Sequence, residues 1–177
     1  MIPTFFIGSK RAYVIYWEIC DSADCWLEYM PEICSYDLLE SYQNVADVLK
    51  AYYKLPVPNI KLTENSLHLI QSAKLYLSGD SMGLAWLIGL LCFKNGKTFP
   101  ANLFAWGAVK PSRKGGYSLF STSNTRRKIF LAEENGKNKI VLHRAERSFK
   151  YFSGEALRLQ ADLTENLKVL ETMINAY

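Results

Sequence analysis

Apolar residues run along this chain in two rhythms. Over residues 12–30, "AYVIYWEICDSADCWLEYM", aromatic and β-branched residues form two runs around the polar stretch "DSAD", which predicts an antiparallel hairpin. From Tyr36 to Tyr53 the rhythm changes: Leu38, Leu39, Tyr42, Val45, Ala46 and Leu49 recur at helical spacing behind Ser35, a residue able to cap the helix. The prolines of "LPVPN" end that helix, because each lacks an N–H and restricts the residue before it. "SLHLIQSAKLYLSG" predicts one or two short strands, the second over "AKLYL". A helix then runs from Met82 to Phe93, apolar nearly all round and so buried on most faces, until "KNGKTFP" stops it with glycine and proline.

Beyond Pro100 the pattern is less regular. "ANLFAWGAV" reads as a strand, "KPSRKGG" as a basic turn and "GYSLFSTSNTRR" as a short irregular helix. "KIFLAEENGKNKIVLHRAE" reads as a strand, a polar loop and a second apolar run. The tail is helical over about residues 155–174, with Leu159, Leu163, Leu167, Leu170 and Ile174 in one stripe, too short for several heptads and therefore a docked helix. Antiparallel strands mixed with strand–helix units make this an α+β chain with a mixed sheet, an N-terminal antiparallel hairpin and packed helices. No repeat, low-complexity stretch or long linker marks a boundary, so residues 1–177 are expected to form one domain.

Composition changes this picture little. A chain of 177 residues, 49% hydrophobic and 21% charged, has enough apolar surface for a core. A net charge of +4, spread except at "KPSRKGG" and "NTRRK", is too small to imply a polyanion partner by itself. The N-terminus lacks the pattern of a secretory signal, and the longest apolar run would span only about 18 Å as a helix against a hydrocarbon core of about 30 Å. A cytoplasmic location and no membrane partner are expected. Cys20, Cys25, Cys34 and Cys92 have no CxxC spacing and His68 and His143 lie far from any cysteine pair, so neither a metal site nor a cofactor is expected. Cys20 and Cys25 flank the "DSAD" turn and could face each other, although cytosolic usage favours free buried thiols.

Candidate chemistry centres on "SGDSMGLA", residues 78–85. Ser81 stands before the apolar helix, where it would serve as its N-cap, with Asp80 as the alternative, or as a nucleophile beside free helix N–H groups. A Ser-His-Asp arrangement with His68 or His143 is disfavoured, because Asp80 adjoins Ser81 and would have difficulty reaching the far side of a histidine. Arg126, Arg127 and Lys128 read as a solvated basic entrance to a strand, or as an anion patch.

The order of motifs resembles the proteolytic domain of the Lon family, a Ser-Lys peptidase on the ribosomal S5 domain 2-like fold. Four stretches within residues 13–138 carry the resemblance. "LLESYQNVADVLKAYY" resembles the family's helix with Glu-Ser near its start, and "GDSMGLA" the Gly-Pro-Ser-Ala-Gly segment holding the nucleophile. "LFAWGAV" resembles the strand ending in Thr-Gly-Glu, with Trp106 and Ala108 in place of its Thr and Glu, and "IFLAEEN" the strand ending in Pro-x-x-Asn.

The resemblance implies a serine peptidase in which Ser81 attacks a peptide carbonyl. Gly79 and Gly83 would permit close backbone approach, and N–H groups near Ser81 and Met82 would hold the oxyanion. Its base would be a lysine kept neutral by desolvation. "YSLF", where that lysine is expected, contains none, so the base falls to Lys114, with Lys110 as the other candidate. "IGSKR" is not a phosphate-cradling loop, so the family's ATPase part is not expected within this sequence. The implied partners are peptides or unfolded chains, a separate ATPase and further copies in a homo-oligomer. The rival readings are an inactive binding or assembly module of the same fold and, with less support, a nucleic-acid binder.

Overall fold

Strand β1 (Ile2–Ile7) pairs antiparallel with β2 (Ala12–Cys20), Phe5 opposite Val14, and β2 pairs antiparallel with β3 (Asn59–Leu62). This computed structural model describes residues 1–8, 11–20, 32–54 and 56–177. The N-terminal antiparallel hairpin is therefore built from β1 and β2. The second arm of the one expected over residues 12–30 lies outside the described residues, as does Cys25. Cys20 is disulfide-bonded rather than a free thiol, whereas Cys34 and Cys92 are free and buried.

Helix α1 (Tyr36–Tyr53) matches its predicted bounds, and Ser35 Oγ accepts from Leu38 N. The predicted strand in "SLHLIQS" is instead helix α2 (Glu64–Ser72), capped by Thr63, whose Oγ1 accepts from Ser66 N. Its Ser66, Leu67 and Ile70 turn inward at helical spacing, and that outweighs the strand-like composition. "AKLYL" contributes only a single parallel bridge, Leu77 to Cys34.

Helix α3 (Gly83–Lys94) has every residue from Gly83 to Cys92 buried. Trp86 meets Trp17 of β2 and Tyr42 of α1 edge-on, with ring centroids 5.3 and 5.8 Å apart. Gly107 divides the strand predicted after α3 into β4 (Leu103–Trp106) and β5 (Ala108–Pro111), which belong to different sheets.

Strand β5 forms a hairpin with β6 (Tyr117–Phe120), so "YSLF" is a strand and not an irregular helix. Helix α4 (Thr125–Glu134) occupies "TRRKIFLAEE", where the "IFLAEEN" strand was expected. The strand of that region is β7 (Lys139–His143), followed by a short 3-10 helix, Arg147–Tyr151. Strand β8 (Glu155–Leu159) then precedes helix α5 (Leu163–Asn175). The docked terminal helix thus begins later than expected, and Leu159 lies on a strand.

Strands β4, β7 and β8 form a parallel sheet in that spatial order. It is covered on both faces, as parallel sheets are. Leu103, Ala105 and Val141 join the main core beside α3, while Phe104, Trp106, Ile140 and Leu142 join a second cluster with Phe5 and with Ile129 and Ala132 of α4. Phe5 bridges the antiparallel and parallel sheets, its ring 4.2 Å from that of Phe104 and 5.7 Å from that of Trp106. The chain is α+β in class. No helix among the described residues is long and apolar enough to cross a membrane.

Candidate active site

Three segments converge on a polar cavity of about 530 Å³: the end of β1 from Phe5 to Gly8, the loop from Ser78 to Ser81 before α3, and Ser121 to Asn124 with Lys128 at the start of α4. The loop before α3 and the start of α4 therefore open onto one space. Backbone bonds hold the α3 side in place. Gly107 N donates to Ser81 O at 3.0 Å and Leu84 N to Gly107 O at 3.0 Å, which locks the turn before α3 onto the junction of β4 and β5. Gly83 sits tightly at that junction, where a Cβ would stand 3.2 Å from Val109 N, 3.3 Å from Ser41 Oγ and 3.4 Å from Gly107 O.

Ser81 is half-buried and does not cap α3. The capping position is Met82, with no side-chain bond to the helix. Asp80 does not cap it either: Gly83 N reaches the Asp80 carbonyl at 3.3 Å, and the Asp80 carboxylate forms an ion pair with Lys110. Ser41 Oγ donates to the same Asp80 carbonyl at 3.2 Å, which ties α1 to the loop. The N–H groups of Ser81 and Met82 are left without an acceptor among the described residues.

Across the cavity, Lys128 is only 3% exposed, and its Nζ donates to Thr122 Oγ1 at 2.7 Å. Burial pushes its amine down from 10.5 to about 8, against the opposing pull of the carboxylates of Glu146 and Asp80. Glu146, itself buried, accepts from Thr122 N at 2.7 Å and from the Thr125 hydroxyl. The cavity is thus lined by both Ser81 and the desolvated amine-bearing Lys128.

The expected base is elsewhere. Lys114 is exposed on the turn between β5 and β6 and lines a separate cavity with Tyr52, Tyr117 and Phe120. Lys110 is held by Asp80 in the neighbouring cavity with Asp37, Glu40 and Asn44. His68 is exposed on α2, and His143, at the end of β7, does not line the cavity of Ser81. Burial lowers the His143 imidazole from its usual range. Of the residues expected at the site, Gly79, Asp80 and Ser81 line the cavity, while Met82 and Gly83 are buried behind them at the start of α3 and do not line it.

Sequence reasoning placed Lys128 with Arg126 and Arg127 in a solvated basic stretch or anion patch and missed its burial beside the cavity of Ser81. Thr125, Ile129 and Ala132 recur at helical spacing, and Lys128 falls on the same stripe, so all four are buried. Taking "KIFLAEE" as a strand hides that stripe, since a strand would send alternate residues to opposite faces. No group of His, Cys, Asp and Glu arranged to hold a metal ion occurs among the described residues. No known protein family and no curated protein matches the chain.

Proposed function

We propose that this chain is a Lon-like serine peptidase of the Ser-Lys type on an S5 domain 2-like fold, with Ser81 as nucleophile and Lys128 as base. The observation that carries the reading is the shared cavity, which holds the uncapped Ser81 hydroxyl and the buried Lys128 amine together. With an amine near pH 8, a large fraction of Lys128 is neutral in mildly alkaline solution and able to take a proton. Ser81 Oγ attacks the peptide carbonyl while its proton passes to Lys128 Nζ. The N–H groups of Ser81 and Met82 stabilise the oxyanion, and Lys128 returns the proton to the leaving amine. Water then hydrolyses the acyl-enzyme by the same proton path. Peptides and already unfolded chains are the substrates that fit this reading.

A non-catalytic binding module is the second reading, and one observation favours it: the hydrogen bond of Lys128 Nζ goes to Thr122 Oγ1 and not to Ser81 Oγ. Catalytic bonds often tighten only when substrate binds, so this geometry leaves the peptidase reading in front. Hydrolysis of a fluorogenic unfolded protein by wild type, Ser81→Ala and Lys128→Met separates the two. Activity lost in both variants supports the Ser81–Lys128 peptidase, activity retained in Ser81→Ala refutes Ser81 as nucleophile, and activity absent from wild type across many substrates leaves the binding module.

A further inference from the structure

Glu146 is a buried carboxylate that the chemistry above does not use. It lies just beyond β7, and its two oxygens reach back to the segment ahead of α4. Oε1 takes the backbone N–H of Thr122 at 2.7 Å, and Oε2 takes the hydroxyl of Thr125. Those groups bracket the turn from Thr122 to Thr125, in which Asn124 adopts the left-handed conformation at φ 62°. The hydroxyl of Thr122 in turn accepts from Lys128 Nζ at 2.7 Å. One carboxylate therefore grips both ends of the turn whose hydroxyl holds the amine. A buried carboxylate costs several kcal/mol of desolvation unless its lone pairs are used, and here they are used on this turn.

We infer that Glu146 is a positioning residue, which fixes Lys128 Nζ in the cavity of Ser81 through the Thr122–Thr125 turn and supplies the negative charge facing that amine. Its consequence for catalysis rests on the Ser81–Lys128 reading, whereas its hold on Lys128 does not. The other charged groups around the amine are few. Asp80 faces it from the loop before α3 and is itself paired with Lys110 of β5, while the β1 segment, Phe5 to Gly8, brings no titratable side chain to the cavity. On α4 itself, Arg126 and Arg127 are exposed, and Arg126 bonds the Tyr151 hydroxyl. Glu146 is thus the buried counter-charge, and removing it leaves burial less opposed.

The test is a pH titration of the full chain carrying ¹³Cε-lysine, with the Lys128 resonance assigned by its loss in Lys128→Met. Glu146→Gln keeps the side-chain shape but removes the charge and one acceptor, and it is expected to lower the midpoint of Lys128 by about one pH unit. Where hydrolysis is measurable, the alkaline-rising limb of kcat/KM moves to lower pH by the same amount, and the plateau falls about ten- to a hundred-fold through misplacement. A purely structural role would lower the plateau without moving either midpoint. Should Glu146→Gln fail to fold, Thr122→Val cuts the link while keeping the carboxylate, and the Lys128 midpoint is expected to move with the loss of the hydroxyl. An unmoved Lys128 midpoint in a folded variant overturns the inference. Hydrolysis that survives Ser81→Ala overturns only the role of Ser81 as nucleophile, and the resonance titration still decides the role of Glu146.

Discussion

Helices α1, α2 and α5 begin with a side-chain cap, from Ser35, Thr63 and Asp162, whereas α3 and α4, the two that open onto the Ser81 cavity, begin without one. Capping residues are available at both uncapped starts: Ser81 and Asp80 precede α3, and Asn124 precedes α4. The Asp80 carboxylate is committed to Lys110, and Asn124 adopts a left-handed conformation in which its side chain makes no cap. Ser81 and Asn124 therefore line the cavity without capping the helices they precede, whereas Ser35, Thr63 and Asp162 each bond a helix N–H. At α1, α2 and α5 the preceding polar side chain serves the helix; at α3 and α4 the preceding Ser81 and Asn124 do not, and both line the cavity.

The largest effect that would break this contrast belongs to Ser81. Ser81→Ala is expected to abolish hydrolysis of an unfolded substrate by on the order of 10³-fold or more and to leave stability within about 0.5 kcal/mol. A stability loss of about 1 kcal/mol in urea would mean that the hydroxyl caps α3 after all. Lys114→Ala should leave the rate within about two-fold, since an exposed turn residue in another cavity touches none of the reacting atoms.

Lys128 comes next and is read through pH. Its amine stands at about 8 when folded and at 10.5 as a free side chain, so between those values the unfolded chain binds more protons. Stability contributed through this group therefore rises with pH across that window, by on the order of 3 kcal/mol. Lys128→Met should remove that rise when unfolding curves of both proteins are compared from pH 7.5 to 10.5, with the tyrosines titrating alike in both. Parallel curves would show that the amine is not desolvated.

Much of the α3 side was legible and almost none of the α4 side was. A twelve-residue apolar helix behind small polar residues has one reading, and Ser81 stands at its threshold in sequence and structure alike. Lys128, the base we propose, was overlooked because "KIFLAEE" has the composition of a strand followed by a loop, and its helical stripe includes a lysine, a residue type that is almost never buried. Glu146 was invisible for another reason. Its partners Thr122 and Thr125 stand 24 and 21 residues away, and only the return of β7 beside β4 brings them together. The strands β1 and β3 escaped notice because pairing partners, rather than their own short patterns, define them.

A smaller effect tests how tightly α3 is seated. Gly83→Ala would place a methyl group against the backbone of Val109 and Gly107 and the Ser41 hydroxyl. A cost of about 1–3 kcal/mol is expected from such overpacking, together with reduced hydrolysis as the turn carrying Ser81 shifts. Normal stability with normal activity would show that the junction has slack.

The smallest effect sets capped against uncapped starts directly. Ser35→Ala deletes the acceptor for Leu38 N and should cost about 1 kcal/mol. Asn124→Gly deletes a side chain that caps nothing, at a φ of 62° where glycine is at ease. Relief of the left-handed strain and the greater freedom of glycine in the unfolded chain oppose each other, so the net change should stay within about 0.5 kcal/mol. Urea midpoints of the two variants decide the matter. If Asn124→Gly proves as costly as Ser35→Ala, then Asn124 stabilises α4 in solution, and the start of α4 is no more open to a ligand than the start of α1.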